Sequence, residues 1–159
     1  MRARPAYPRE TGFTYLTVLI TIAIIGIVST AAIQVGSIAQ RRDAEEELLA
    51  IGMEFRAALA SYAAASPPGQ RQVPASMEEL LRDPRFAEPR RHLRKLYFDP
   101  LTGTQEWGLL KGPDANGIIG IVGIYSLSEE TPIKIGNFDS MFESFSKKTS
   151  YRYWVFTKQ

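Results

Sequence analysis

The chain has 159 residues, no cysteine, a single histidine and a formal charge of +2, with 23% of its residues charged. Disulfides, thiolate metal sites, iron–sulfur clusters and cysteine nucleophiles are thereby excluded, and His92 has no second histidine with which to hold zinc. The length fits one small domain plus an appendage, and the near balance of charge calls for neither a polyanion partner nor general disorder.

The chain opens on a basic stretch carrying Arg2, Arg4 and Arg9, after which no residue from Thr11 to Gln40 is charged. A helix of that length extends roughly 45 Å, and its richest part, Phe13 to Ile33, covers about 30 Å, the thickness of a bilayer's hydrocarbon core. The run predicts one transmembrane helix over 13–40, in preference to a buried helix of a water-soluble protein. A secretory signal would place a shorter apolar run before its cleavage site, so removal of this run is not expected. The leader arginines point to a cytoplasmic N-terminus, although Arg41 and Arg42 flank the other end and weaken that vote.

At the junction, Gly12-Phe13-Thr14-Tyr15-Leu16-Thr17-Val18-Leu19-Ile20-Thr21-Ile22-Ala23-Ile24-Ile25-Gly26-Ile27 resembles the class III signal of type IV pilins and type II secretion pseudopilins. The resemblance implies a leader of residues 1–12, cut after Gly12 by prepilin peptidase on the cytoplasmic side, and an N-methylated Phe13 as the new terminus. It implies a single-pass inner-membrane protein with a periplasmic head. The implied partners are the lipid bilayer, other pseudopilin subunits and an inner-membrane assembly platform. The assembly helix would present Phe13, Thr14, Thr17, Thr21 and Gly26.

Thr17 departs from that pattern, because most of the family has a glutamate there that is thought to neutralise a neighbouring subunit's terminal amine. An unpaired ammonium in a bilayer costs several kcal/mol, and a threonine cannot cancel its charge. Thr17 therefore favours a minor or specialised subunit. Thr14, Thr17 and Thr21 recur at three- and four-residue spacing and form a polar stripe suited to hydrogen bonds across helices.

After Gln40 the pattern becomes one-sided. Ala44, Leu48, Ile51, Phe55, Leu59 and Tyr62 recur with the period of an amphipathic helix, while Asp43, Glu45, Glu46, Glu54 and Arg56 fall on other positions. The apolar stripe predicts a sheet packed against residues 41–66. One continuous helix from Phe13 to about Ala65 is expected, weakened at Gly26, Gly36 and Gly52, and stopped by Ser66-Pro67-Pro68-Gly69.

The remaining residues, 67–159, predict a small α+β head. Ser76-Met77-Glu78-Glu79 has the capping-box form, so a helix of about two turns is expected before Pro84. Pro74-Ala75-Ser76-Met77-Glu78-Glu79-Leu80-Leu81 and Asp99-Pro100-Leu101-Thr102-Gly103 resemble segments that lead into the sheet of pseudopilin heads. Three strands are expected, at Trp107–Lys111, Ile118–Leu127 and Tyr151–Phe156, with Gly112–Gly117 turning the first into the second and the last lying inside the sheet. The fold class is α+β, a pilin-like fold with a long N-terminal helix, transmembrane in its first half, packed on a small antiparallel sheet.

Several chemistries compete for the polar residues. Heads of major pseudopilins bind calcium, for which Asp114, Asn116 and Asp139 are weak candidates, yet Asp114-Ala115-Asn116-Gly117 is equally an ordinary turn; no cofactor is expected. Arg82, Arg85, Arg90, Arg91, His92, Arg94 and Lys95 form a basic cluster that reads as a solvated loop, a contact with an adjoining subunit or, less favoured, a nucleic-acid surface. Catalysis is not expected, because Ser126 and Ser128 have no nearby histidine and His92 lies among cations. The reading is a structural subunit of a type II secretion pseudopilus. The alternatives are a minor pilin of a type IV pilus or DNA-uptake filament, and a membrane-anchored binding domain that never polymerises.

Overall fold

A computed structural model describes residues 12–88 and 90–158, with side chains throughout except at residues 12, 13 and 28–36. The expected leader therefore lies outside the described residues, save the backbone of Gly12. Helix α1 spans Gly12–Ala64, 53 residues without an interior proline to break it. It ends where Pro67 and Pro68 cannot continue it, with Gly69 at φ +80° and the Ser66 hydroxyl donating to the Gln70 and Arg71 carbonyls.

By its internal contacts the chain divides into two units, Met1–Gln40 and Arg41–Gln159. In the first, the described side chains from Tyr15 to Ile27 are exposed and mostly apolar, with Thr17 and Thr21 among them, the large apolar ones from 44% exposed at Leu19 to 72% at Ile27. Among the described residues no helix is long and apolar enough to cross a membrane. The expected span 13–40 is described only in part, since the side chains of 28–36 fall outside.

The second unit holds the core. Leu48, Ile51, Phe55, Leu59 and Tyr62 of α1 are all buried, and they pack with Trp107, Ile121, Ile124, Tyr151, Trp154 and Phe156 in one hydrophobic cluster. Full burial of such side chains contributes about 1.5–3 kcal/mol each, far beyond the helix propensities involved. The sheet is antiparallel and three-stranded, in the order β1 (Gly108–Pro113), β2 (Ile119–Tyr125), β3 (Phe156–Thr157). Fold class at this level is α+β, a long helix contacting a small antiparallel sheet. A bulge between Leu110 and Lys111 shifts the β1–β2 register, and the turn beyond is closed by Gly117 at φ +78°, a conformation that glycine adopts without strain.

Three expectations require correction. Tyr151–Phe156 is not an interior strand: Tyr151–Tyr153 is a 3-10 turn, and only Phe156–Thr157 pairs, at the edge of a sheet whose middle strand is β2. The Ser150 hydroxyl accepts from the Arg152 amide and turns the chain, so the inward residues are Tyr151, Trp154 and Phe156, while Tyr153 is 58% exposed. The second helix, α2 (Glu78–Leu81), has one turn where two were expected. Ser76 does not cap it, and the Glu79 carboxylate reaches past Ser76 to accept from the Ala75 amide. Finally, Glu45 is not set apart from the buried stripe with the other charged residues of α1, because it is only 3% exposed. A further 3-10 turn at Ser140–Phe145 stacks Phe145 on Trp154 and sets Phe142 and Phe145 edge-to-face with Phe156.

Candidate functional site

The buried polar groups gather at two places along the second half of α1. Near its C-terminal end, Asp83 follows α2 directly and its carboxylate is fully enclosed. It accepts from the Arg85 amide at 3.0 Å, from Arg85 Nε at 2.9 and 3.1 Å, from Arg85 Nη2 at 2.6 Å and from His92 Nε2 at 3.1 Å. Burial alone would push the Asp83 carboxyl up, but hydrogen bonds from the Arg85 side chain and backbone and from His92 outweigh it and hold it down at about 2. Arg85 completes the set by stacking 3.6 Å over the Tyr62 ring and donating to the Arg71 and Tyr62 carbonyls. Tyr62 in turn donates to Glu79, and burial followed by that hydrogen bond pushes its hydroxyl up to about 12.

His92 and Arg85 are therefore not members of a solvated basic loop. Since the ionised Asp83 can only accept, Nε2 of His92 carries a proton, while Nδ1 stands 2.8 Å from the Ser61 hydroxyl. Ser61, His92 and Asp83 thus stand in the order of a nucleophilic relay. The His92 side chain is fully enclosed, however, and Ser61 sits inside α1, where backbone amides are spent on the helix and none faces a developing oxyanion. The arrangement ties the loop after α2 to the long helix. Sequence reasoning missed it because three of the groups lie far apart in the chain; the available signal was Asp83-Pro84-Arg85, an acid two residues from a base across a turn-forming proline.

The second cluster is Glu45. Its carboxylate accepts from the Ile133 amide at 2.6 Å, from the Lys134 amide at 3.2 Å and from the Tyr151 hydroxyl at 2.7 Å. Burial, then this hydrogen bond, pushes the Tyr151 hydroxyl well above the usual phenol range. Beside it, Arg41 donates to the Thr131 carbonyl and pairs with Glu130. One turn of α1 thereby holds the Glu130–Lys134 stretch of the connection that follows β2.

The calcium candidates serve the turn. Asp114 accepts from the Gln72 amide through Oδ2 and from the Asn116 and Ile118 amides through Oδ1, and Asn116 donates to the Gln70 carbonyl. Hydrogen bonds from those amides hold the Asp114 carboxyl below its usual range, that of Gln72 contributing most. Among the described residues no three His, Cys, Asp or Glu side chains gather in a form that could hold a metal ion. Ser126 is buried and donates to Asp99 at 2.6 Å, closing the Asp99–Gly103 turn onto the end of β2.

On the surface, Arg82, Arg91, Arg94 and Lys95 rim an open cleft of about 470 Å³ together with Leu81, Leu96 and Gln105. None of the four belongs to an ion pair among the described residues. In the first unit, the Thr21 hydroxyl donates to the Thr17 carbonyl one turn back at 2.8 Å, within the same helix. An added Cβ at Gly26 would meet nothing within 4 Å. The described residues include Gly12 and Phe13 by backbone only, as the first residues of α1. Comparison with family models, with curated proteins and with solved structures finds no match.

Proposed function

We propose that this chain is a pilin-like structural subunit of a type II secretion pseudopilus, a minor or specialised one, anchored in the inner membrane by the first half of α1. The observation that carries the reading is that exposed apolar side chains of α1 from Tyr15 to Ile27 stand on all sides of the helix, with the polar Thr17 and Thr21 among them. A helix that is apolar all round needs lipid or other helices on every side. The same helix, from Leu48 to Tyr62, supplies the spine of a small folded head. An anchor continuous with a head spine suits a subunit that is stored in a membrane and later packs its apolar helix among other helices.

The Gly12-Phe13-Thr14 junction adds the processing step: cleavage after Gly12 by prepilin peptidase, methylation of Phe13, a cytoplasmic N-terminus and a periplasmic head. The head contributes contacts and no catalysis, which agrees with the enclosed His92. A minor pilin of a type IV pilus or uptake filament shares every one of these features. The deciding experiment is mass spectrometry of the chain from cells with active prepilin peptidase. A mature chain beginning at methylated Phe13 supports the filament reading, and an intact Met1 contradicts it.

A further inference from the structure

The Glu45 anchor leaves an open cleft beside it. Arg42, Glu45, Glu46 and Leu49 of α1 and Ile133 and Lys134 of the loop after β2 line a space of about 280 Å³, so the cleft carries cations and acids in equal number. The Glu45 oxygens are taken up by the Ile133 and Lys134 amides and the Tyr151 hydroxyl. The charges left for a ligand are those of Arg42, Lys134 and Glu46, all exposed. Arg42 and Glu46 stand one helical turn apart, yet none of the three belongs to an ion pair among the described residues. The Lys134 ammonium rests 4.9 Å from the centre of the Phe138 ring, which steadies it.

Each of these groups asks for a particular partner. The Arg42 guanidinium offers paired N–H donors and Lys134 a point charge, and together they suit a phosphate. Glu46 can only accept, so it favours a cation that carries N–H groups. A ligand that answers all three holds a phosphate and a primary ammonium a few bonds apart, which is the phosphoethanolamine group. A polyanion would be repelled by Glu46, and a quaternary ammonium has no N–H to donate. At about 280 Å³ the cleft falls just below the range of about 300–1,000 Å³ that encloses drug-sized ligands, and it suits a headgroup.

The order of the chain points to a lipid as the source. Arg42 follows the charge-free run Thr11–Gln40 by two residues. In a lipid-anchored helix the first charged turn beyond the apolar run lies among headgroups. On the loop side of the cleft, Ile135 adjoins Lys134 and is 64% exposed, and its carbonyl accepts from the amide of the exposed Lys147 at 3.0 Å. Lys147 holds that place at φ +58°, a left-handed conformation uncommon for a residue with a Cβ. An exposed isoleucine between lysines suits the boundary of acyl chains and headgroups, where lysine stems lie along apolar surface and the ammonium stays in water.

Resting on the membrane-anchored part of the reading above, we propose that this cleft binds the headgroup of a phosphoethanolamine phospholipid, its phosphate on Arg42 and Lys134 and its ammonium on Glu46. A headgroup held there pins the head to the membrane surface while the chain is stored in lipid.

Full-length chain purified in a non-ionic detergent is mixed with equal amounts of dioleoyl phosphatidylethanolamine, phosphatidylcholine and phosphatidylglycerol and weighed by native mass spectrometry. One-to-one phosphatidylethanolamine adducts, several-fold more abundant than either of the others, are expected. Arg42→Gln and Lys134→Gln should each lower them several-fold at an unchanged melting temperature, and Glu46→Gln should erase the preference over phosphatidylcholine. Equal adducts of all three lipids, or adducts indifferent to these substitutions, overturn the proposal. An excess of phosphatidylglycerol, lost in Arg42→Gln, means a plain anionic-lipid surface and overturns it equally. Soluble glycerophosphoethanolamine that displaces the lipid at matched concentration assigns the cleft to a soluble phosphodiester and overturns the lipid source. Alkaline extraction of the expressing cells separates this proposal from the anchoring. Chain retained in the membrane pellet without lipid preference overturns the cleft and leaves the anchor standing, and chain in the soluble fraction without lipid preference overturns both.

Discussion

At Gly52 the choice of residue is decided by one missing carbon. A Cβ built there would lie inside the Phe156 ring, so the only strand residue that both pairs with β2 and enters the core rests directly on the helix backbone. Alanine would improve helix propensity by about 1 kcal/mol, but forcing the ring away costs about 1–3 kcal/mol and disturbs its edge-to-face contacts with Phe142 and Phe145. Gly52→Ala is therefore expected to lower stability, read as a lower midpoint in urea; a higher midpoint would show that the ring yields freely. Asp83 gives a second prediction, in pH. Its folded carboxyl is held at about 2, below the ordinary 3.8. The stability it contributes, about 2 kcal/mol, is present above pH 4 and is lost as pH falls through about 2. Asp83→Asn should weaken the fold at pH 7 by about 3–5 kcal/mol, because Arg85 is left buried without its partner, and should flatten the fall in melting temperature between pH 4 and pH 2. An unchanged acid limb in the variant would assign that fall to other carboxylates.

Elements differ in how far their own residues determine them. The stripe Leu48, Ile51, Phe55, Leu59 and Tyr62 was legible because a helix repeats its geometry, so spacing alone names the buried face. The stop at Ser66–Gly69 and the Asp114–Gly117 turn were legible because proline and glycine act locally. The C-terminal segment was not. Alternation of Tyr151, Tyr153 and Val155 imitates a strand, yet the Ser150 hydroxyl turns the chain and the Tyr151 hydroxyl is claimed by Glu45, a partner a hundred residues away. Nor does periodicity mark Glu45 as buried, because its carboxylate is satisfied by amides of a loop that only the folded chain brings near. That long-range anchor makes a prediction at this scale: Glu45→Ala leaves the Ile133 and Lys134 amides and the Tyr151 hydroxyl without an acceptor. Each unsatisfied group costs about 1–3 kcal/mol. Faster amide exchange at Ile133 and Lys134 than elsewhere in the head would report loss of the loop; uniform exchange across the head would show that Glu45 holds no particular element.

At the scale of the whole molecule, one helix carries two kinds of surface. The head satisfies itself: its apolar stripe is covered by sheet and aromatic cluster, and its buried acids are paired or hydrogen-bonded. In the first unit, large apolar residues stand exposed, Ile22 and Ile24 each by more than half. Leaving that surface in water is unfavourable by about 25 cal/mol per Å². On the proposed reading, lipid or neighbouring helices replace water around the first unit, and the two environments differ in how they respond to a charge. An arginine at Ile24, near the middle of the run, costs about 2.5–3.5 kcal/mol at the centre of a bilayer-spanning helix. Ile24 belongs to the first unit, so Ile24→Arg is expected to leave the melting temperature of the head unchanged while shifting the chain from the membrane pellet to the soluble fraction after alkaline extraction. Full retention of the variant in the pellet would mean that the run is not held by lipid. A lower melting temperature would mean instead that the first unit supports the head directly.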